Sequence, residues 1–513
     1  MRASKIRSAS HASGCTACRS LRCVYAALGL LLAPMTAQAH GRLKSSAPAA
    51  GAHLSQVPRE LRLDFTEGPE LTFSSIRLLR ADGREVPLGA LAFAADSRRS
   101  LVVPIAGALE AGTYSVSWQM AGDDGHPVRG RIEFVIAPGA MGLGMTPAGV
   151  TPVPTSGTPL PTGDTTSMQG MHHDPTSMPE GNGFGAESPL YVVIRWLQFV
   201  ALLLAIGAVS FHSFVLGFIR RDPHSAAEPE EPAMLASVDD RAARVGHGAA
   251  MVLVVTLVLR LVAQAYAMHG TRGTFDATLI ESMLGKTMWG WGWLLELVGI
   301  VIAGVGFHIA RRQSPFTAGD GPGNHRRRRG WQLAGLGAVL LAFSPGMASH
   351  ASAAPKLRPL AILADGLHVL GASSWLGTLT VVLFAGLSVA AAFPAERRAA
   401  FVRDLINAFS PVALVSAGVA ATTGVFAAWL HVGTVPNLWG TRYGITLLIK
   451  LGILGIVALT GFYNWRFVQP RLGTPEATAH LQRSARVEVA VAVLVLLVTA
   501  ALVASPTSMD MVM

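Results

Sequence analysis

Eight apolar stretches, each long enough to cross a bilayer, fill the chain from Leu190 onward, at roughly 190–219, 243–268, 287–310, 330–347, 359–391, 405–430, 443–467 and 486–505. In lipid a backbone must satisfy its own polar groups, so a run of about 20 apolar residues is spanned as a helix. Residues 190–505 therefore read as an all-α polytopic membrane domain of about eight transmembrane helices. Composition agrees, because 51% hydrophobic and 14% charged residues are too apolar a balance for a soluble chain of 513 residues.

The start of the chain fixes which way these helices run. Met1 to Arg22 carry five basic side chains and no acid, Cys23 to Met35 are mostly apolar, and Ala37-Gln38-Ala39 is a small-x-small cleavage site. Residues 1–39 read as a secretory signal peptide, whose removal lowers the formal net charge from +10 to +5. That balance does not point to a nucleic-acid partner. All three cysteines, Cys15, Cys18 and Cys23, lie in the signal, so the mature chain is expected to be free of thiols and to bind soft metals through Met and His. With the segment after the signal exported, alternation places Arg220, Arg221, Arg311, Arg312, Arg326 to Arg329, Arg397, Arg398, Arg403, Arg466, Arg471, Arg483 and Arg486 inside. The outer loops hold only a few basic residues, chiefly Arg272, Lys356 and Arg358, as the positive-inside bias requires.

Residues 40–138 read as an all-β sandwich. The β-rich runs Glu60 to Phe65, Ser75 to Arg80, Leu101 to Ile105, Thr113 to Met120 and Val128 to Ile136 are separated by Gly, Pro and Asp turns such as Ala81-Asp82-Gly83. Residues 139–189, rich in Gly, Pro, Thr, Ser and Met and lacking Lys and Arg, read as a flexible linker. Residues 506–513 form a Met-rich tail on the same side as the sandwich.

Cleavage after Ala39 makes His40 the first residue, whose α-amino group and imidazole Nδ1 close a six-membered chelate on one metal ion. Asp124-Gly125-His126-Pro127-Val128, which also suits a solvated hairpin turn, supplies a carboxylate and an imidazole two positions apart. Together His40, Asp124 and His126 offer an N3O donor set of the kind tetragonal Cu(II) takes.

The segments His40-Gly41-Arg42-Leu43-Lys44-Ser45-Ser46-Ala47-Pro48, Leu63-Asp64-Phe65-Thr66-Glu67, Gly112-Thr113-Tyr114-Ser115-Val116-Ser117-Trp118 and Asp124-Gly125-His126-Pro127-Val128 resemble the periplasmic copper-binding CopC family. The membrane part resembles its partner, the CopD family, so the chain resembles a CopC–CopD fusion over nearly all of its mature length. The resemblance implies an Ig-like Greek-key β-sandwich with Cu(II) held by His40, Asp124 and His126. Some CopC members add a Cu(I) site in a Met-rich loop; the matching stretch here, around Pro87 to Ser100, has no Met, so that site is expected to be absent. A copper monooxygenase also uses a histidine pair with a terminal amine, but Asp124 would fill a position such chemistry leaves open. The chain is therefore read as a non-enzyme.

Thioethers bind Cu(I) without deprotonation. Met168, Met171, His172, His173 and Met178 in the linker and Met509, Met511 and Met513 in the tail are candidate Cu(I)-capturing residues, or else ordinary filler. Polar groups inside a membrane are costly enough to suggest function. Met347 and His350 lie at the outer mouth of the fifth span, which carries Asp365 and His368 on one helical face ahead of Ser373-Ser374-Trp375-Leu376-Gly377. His350 is expected to receive copper and His368, oriented by Asp365, to carry it inward; a hydrogen-bonded pair locking two helices is the alternative. Met268 and His269, at the outer end of the second span, are a second candidate mouth. Arg260, Glu296 and Lys450 would neutralise one another.

The expected function is capture of copper in the periplasm and its transport, in the import direction, across the cytoplasmic (inner) membrane of a bacterium, serving homeostasis or resistance. A periplasmic chaperone or a reductant is an implied partner. No Walker A pattern is present to couple transport to ATP. Two rivals remain open. His212, His247 and His308 near the inside and His269 and His350 near the outside leave room for a bis-His haem redox module. Alternatively, the helices only anchor a copper buffer or sensor.

Overall fold

The computed structural model describes residues 43–66, 68–121, 127–141, 188–221, 231–311, 322–348, 357–432, 434–471 and 475–504. Among the described residues, nine strands form the N-terminal domain: β1 (Leu43–Ala47), β2 (His53–Gln56), β3 (Glu60–Phe65), β4 (Ser75–Arg80), β5 (Glu85–Val86), β6 (Ala92–Ala94), β7 (Ser97–Pro104), β8 (Gly112–Ala121) and β9 (Pro127–Met141). One sheet has the order β1-β3-β7-β6 and the other β2-β9-β8-β4-β5. Period-two alternation explains the sandwich: Leu61, Leu63 and Phe65 of β3 and Tyr114, Val116, Trp118 and Met120 of β8 all point inward and are buried. Two apolar clusters fill the interior, one around Leu78, Val103 and Phe134, the other around Leu63, Phe65, Trp118 and Met120.

The helical part comprises α1 (Pro189–Ile219), α2 (Glu231–Gly273), α3 (Ala277–Lys286), α4 (Met288–Arg311), α5 (Pro322–Met347), α6 (Arg358–Ala390), α7 (Ala395–Val432), α8 (Arg442–Arg471) and α9 (Pro475–Ala504). Ser188 caps α1, its hydroxyl accepting from the Tyr191 amide at 3.2 Å, and Pro189 follows at the first helical position. Among the described residues, seven helices are long and apolar enough to cross a membrane: α1, α2, α4, α6, α7, α8 and α9. The remaining expected span, 330–347, is helical within α5 but less apolar, because Arg326 to Arg329 precede it, Gln332 lies within it and Ser344-Pro345-Gly346 close it.

Small residues set the helix crossings, as they do where lipid leaves no hydrophobic drive between helices. A Cβ on Gly207 of α1 would overlap the backbone of Gly377 in α6, and Ser210 and Ser374 hydroxyls meet at 2.8 Å beside that contact. The Ser373–Gly377 stretch is a π-helical turn within α6; further π-turns lie at Phe211–Leu216, Val382–Leu387 and Asn464–Val468. The Ser-Ser-Trp-x-Gly motif is thus the α1–α6 crossing.

Candidate metal centre

His40, Asp124 and His126 lie outside the described residues, but the strands that flank them converge. Leu43, which opens β1, and Met120 and Val128, which flank the five-residue β8–β9 connection, join one apolar cluster with Phe65 and Trp118. The Phe65 and Trp118 rings meet edge to face at 5.3 Å. Three residues separate His40 from Leu43 in sequence, so this cluster is the described part of the fold to which both candidate ligand segments attach. Beside it, Asp64 of β3 accepts from Ser45 at 2.8 Å and from Arg62 at 2.9 Å, while Arg62 also reaches Asp96 at 2.9 Å. The Ser100 hydroxyl, then Arg62 and Ser45, hold the Asp64 carboxyl below the usual range against the opposing cost of its partial burial.

Met168, Met171, His172, His173, Met178, His350, Met509, Met511 and Met513 also lie outside the described residues. Of the membrane-path candidates, Met268 and His269 end the first, longer segment of α2, before Gly270 turns the chain at φ 65°. Met347 ends α5 against Gly292 of α4, and Gly346 beside it abuts Asp365 of α6. His368 is one turn further along α6, where its Nδ1 lies 2.9 Å from the main-chain oxygen of Ala420 and 3.3 Å from the Thr423 hydroxyl in α7.

Two expectations change here. His368 is oriented by the α7 backbone, while Asp365 lies in the electrostatic field shared with Lys450 and Tyr443 of α8. The reason is geometric: α7 packs against the His368 face of α6, with Gly424 in contact with the imidazole. Lys450 accordingly takes no part in the Arg260–Glu296 pair, which closes at 2.6 Å between α2 and α4.

A carbonyl oxygen only accepts, so His368 carries its proton on Nδ1 and presents a lone pair on Nε2. Metal-ligating imidazoles are commonly held this way, with the far nitrogen donating to a carbonyl. No cluster of three or more His, Cys, Asp or Glu side chains suited to a metal is formed among the described residues.

Several contacts between buried polar groups leave no mark in the sequence. Gln198 of α1 donates to Glu296 from the side opposite Arg260, and Arg195 stacks over Tyr191 and Phe199 nearby. Asp239 of α2 gathers His212 at 2.7 Å, Arg327 at 2.9 Å and Arg220 at 3.2 Å, with the His212 ring stacked on Trp331 at 4.1 Å. Asn464 in the α8 π-turn donates to Glu488 and Ser484 of α9. Gln198 is a polar residue within an apolar run, a signal visible in sequence without its partner, whereas Asp239 stands in the charged stretch Asp239-Asp240-Arg241. His247 and His308 rings lie 5.6 Å apart, with Arg311 donating to His308 Nδ1 at 3.1 Å.

The fold and these groups define a β-sandwich joined to a polytopic helical membrane domain with polar residues in its interior. Family models match in the same order: the CopC domain over residues 43–137, the copper resistance protein D-like N-terminal domain over 186–356 and copper resistance protein D over 403–502. The copper transport protein CutJ of Bacillus subtilis (strain 168) is 22% identical over 480 residues, covering 94% of this chain and 76% of that protein. Protein YobA of Escherichia coli (strain K12) is 31% identical over 23% of this chain and 95% of its own length. Copper resistance protein C of Pseudomonas syringae pv. tomato is 32% identical over 21% of this chain and 90% of its own length. The chain belongs to the CopC–CopD family, as a fusion of the two domains.

Proposed function

We propose that the sandwich captures Cu(II) outside the cytoplasmic membrane and that the helical domain passes copper inward. His40 would supply its amine and imidazole, His126 a second imidazole and Asp124 a carboxylate. The observation that carries the membrane half of this reading is the 2.9 Å contact of His368 Nδ1 with the Ala420 main-chain oxygen, which leaves Nε2 as the nitrogen that could meet an ion inside the bundle. His350 and Met347 would feed it from the outer mouth. The Met-rich linker and tail would hold Cu(I) near the membrane surface, after reduction by an external partner. The sandwich faces the periplasm in this reading, consistent with the distribution of arginines among the loops.

The test is copper uptake into proteoliposomes carrying the signal-cleaved protein with the sandwich outside, supplied separately with Cu(I) and Cu(II). Uptake that falls on His350→Ala and His368→Ala supports the transport assignment and names the redox species. Tight Cu(II) binding with no uptake of either ion reduces the protein to a membrane-anchored copper buffer. A Soret band in the purified protein would favour the haem rival instead.

A further inference from the structure

Three side chains at one end of the sandwich reach the last turn of α2 before Gly270. Gln119 Nε2 donates to the main-chain oxygen of Met268 at 3.1 Å, and Arg129 Nη2 to that of Ala267 at 3.0 Å. Gln119 and Arg129 face each other across β8 and β9, and Arg129 Nε donates to Gln119 Oε1 at 2.8 Å. Phe73 stands two residues before Ser75, which pairs with Gln119 across β4 and β8. Although it belongs to the sandwich, Phe73 is 3% exposed within the membrane domain's core cluster, its ring 5.5 Å from the His269 imidazole.

The α2 end is built to receive such donors. Gly270, at φ 65°, breaks the helix, so the carbonyls of the preceding turn lose their regular intrahelical amide partners. A guanidinium at that position also meets the negative end of the helix dipole. His269 Nε2, next to these carbonyls, is buried and has no hydrogen-bond partner among the described residues. Arg260, Gln264 and Met268 recur at four-residue intervals and are all buried, so one polar-to-soft face of α2 runs inward from the contact.

We propose that Phe73, Gln119 and Arg129 form a docking surface that seats the sandwich on the end of α2, and that the seated sandwich delivers copper to His269 and Met268. The delivery rests on the transport reading above; the seat does not. A sandwich free to swing on its linker would present its ion to any part of the outer surface. A seated one presents it at a single helix end, beside an imidazole nitrogen with no other partner among the described residues.

The test uses the full chain in proteoliposomes with Ser75→Cys and Ala267→Cys and a protease site introduced between residues 142 and 187. Ala267 contributes only its main-chain oxygen and Ser75 is exposed, so both substitutions leave the seat in place. A short bismaleimide should keep the two fragments together after proteolysis. Arg129→Glu should lower the linked fraction about tenfold, the scale of one charge-assisted hydrogen bond. Fragments that separate at every reagent concentration, or a linked fraction indifferent to both Arg129→Glu and Phe73→Ala, overturn the seat. For delivery, His269→Ala should lower copper uptake about tenfold, as loss of one ligand would, and by more than the linked fraction falls in the two-cysteine background, since the same ring also meets Phe73. Unchanged uptake overturns delivery. If the unaltered protein takes up no copper, the transport reading and the delivery fail together, while the linkage yield still decides the seat.

Discussion

Arg260 and Glu296, each 1% exposed, join α2 to α4 through a contact of 2.6 Å. Gln198 of α1 completes the carboxylate's coordination, so three helices depend on one acidic side chain. Removing one partner of such a pair strands a buried charge, whereas removing both need not destabilise. Glu296→Ala should therefore destabilise the helical domain by about 3–5 kcal/mol. The combined Arg260→Met, Glu296→Met variant should recover most of that loss. Thermal aggregation midpoints in detergent check both; a double variant no better than Glu296→Ala would show that the pair itself holds the helices.

In the transport reading the two ring nitrogens of His368 have separate tasks, and one amide side chain separates them experimentally. Asn places its N–H near the Nδ1 position and can still donate to Ala420, but it has no basic nitrogen. His368→Asn should keep stability within about 1 kcal/mol, the net worth of one ordinary hydrogen bond. Its copper uptake should be lost. Uptake that persists in this variant would leave His368 a packing residue between α6 and α7.

Acid sensitivity of the sandwich follows from Asp64 and Asp96. Ser100, Arg62 and Ser45 hold the Asp64 carboxyl below its ordinary range, and Arg62 does the same for Asp96. A carboxyl with a lowered folded pKa contributes stability above its unfolded value, about 3.9, and loses it as pH falls through the folded value. The urea midpoint of the isolated sandwich should drop steeply below about pH 4, and Asp64→Asn should flatten that acid limb. Relatives about as long as the sandwich are whole chains, which makes the isolated domain a reasonable object to measure. Parallel pH profiles for the two proteins would contradict the assignment.

Alternating and apolar segments were legible in the sequence. Glu60–Phe65 and Ser75–Arg80 emerge as β3 and β4 with the expected ends, because their inward residues are large and their boundaries are turns. β1 and β2 were not legible: Leu43–Ala47 and His53–Gln56 are short and mostly polar, and they exist because β3 and β9 offer them paired backbone edges. Polar residues in apolar runs announced Arg260, Glu296 and His368, and the Arg260–Glu296 pairing with them, but not Gln198 as the carboxylate's second partner or Ala420 and Thr423 as those of His368. Whether a lone acid meets an arginine two helices away or a histidine one turn away depends on helix rotation, which hydropathy does not encode. The Ala420 carbonyl that orients His368 belongs to the backbone of an unremarkable alanine and leaves no trace in sequence.

Gly130 lies opposite Trp118 in the β8–β9 register, and a Cβ there would overlap the indole. Gly130→Ala should cost about 1–3 kcal/mol of sandwich stability through overpacking. Since Trp118 shares its cluster with Leu43, Met120 and Val128, the displacement should also weaken Cu(II) binding. Calorimetric titration of the folded variant decides this, and unchanged affinity would uncouple that cluster from the metal segments.

The Cu(II) clamp makes the last prediction, because a chelate is sensitive to the position of one amine. An alanine added ahead of His40 moves the α-amino group out of the six-membered ring while leaving the His40 imidazole, Asp124 and His126 unchanged in sequence. β1 begins three residues later, so the addition leaves the Leu43–Phe65 pairing intact and stability without copper should not move. A ligand that binds only the folded state stabilises it by about 2.7 kcal/mol at one hundred times its dissociation constant. With Cu(II) present the native sandwich should gain such an increment and the extended form much less. Equal copper-dependent shifts in melting temperature would mean that the terminal amine is not a ligand, and the candidate centre would then rest on Asp124 and the two imidazoles alone.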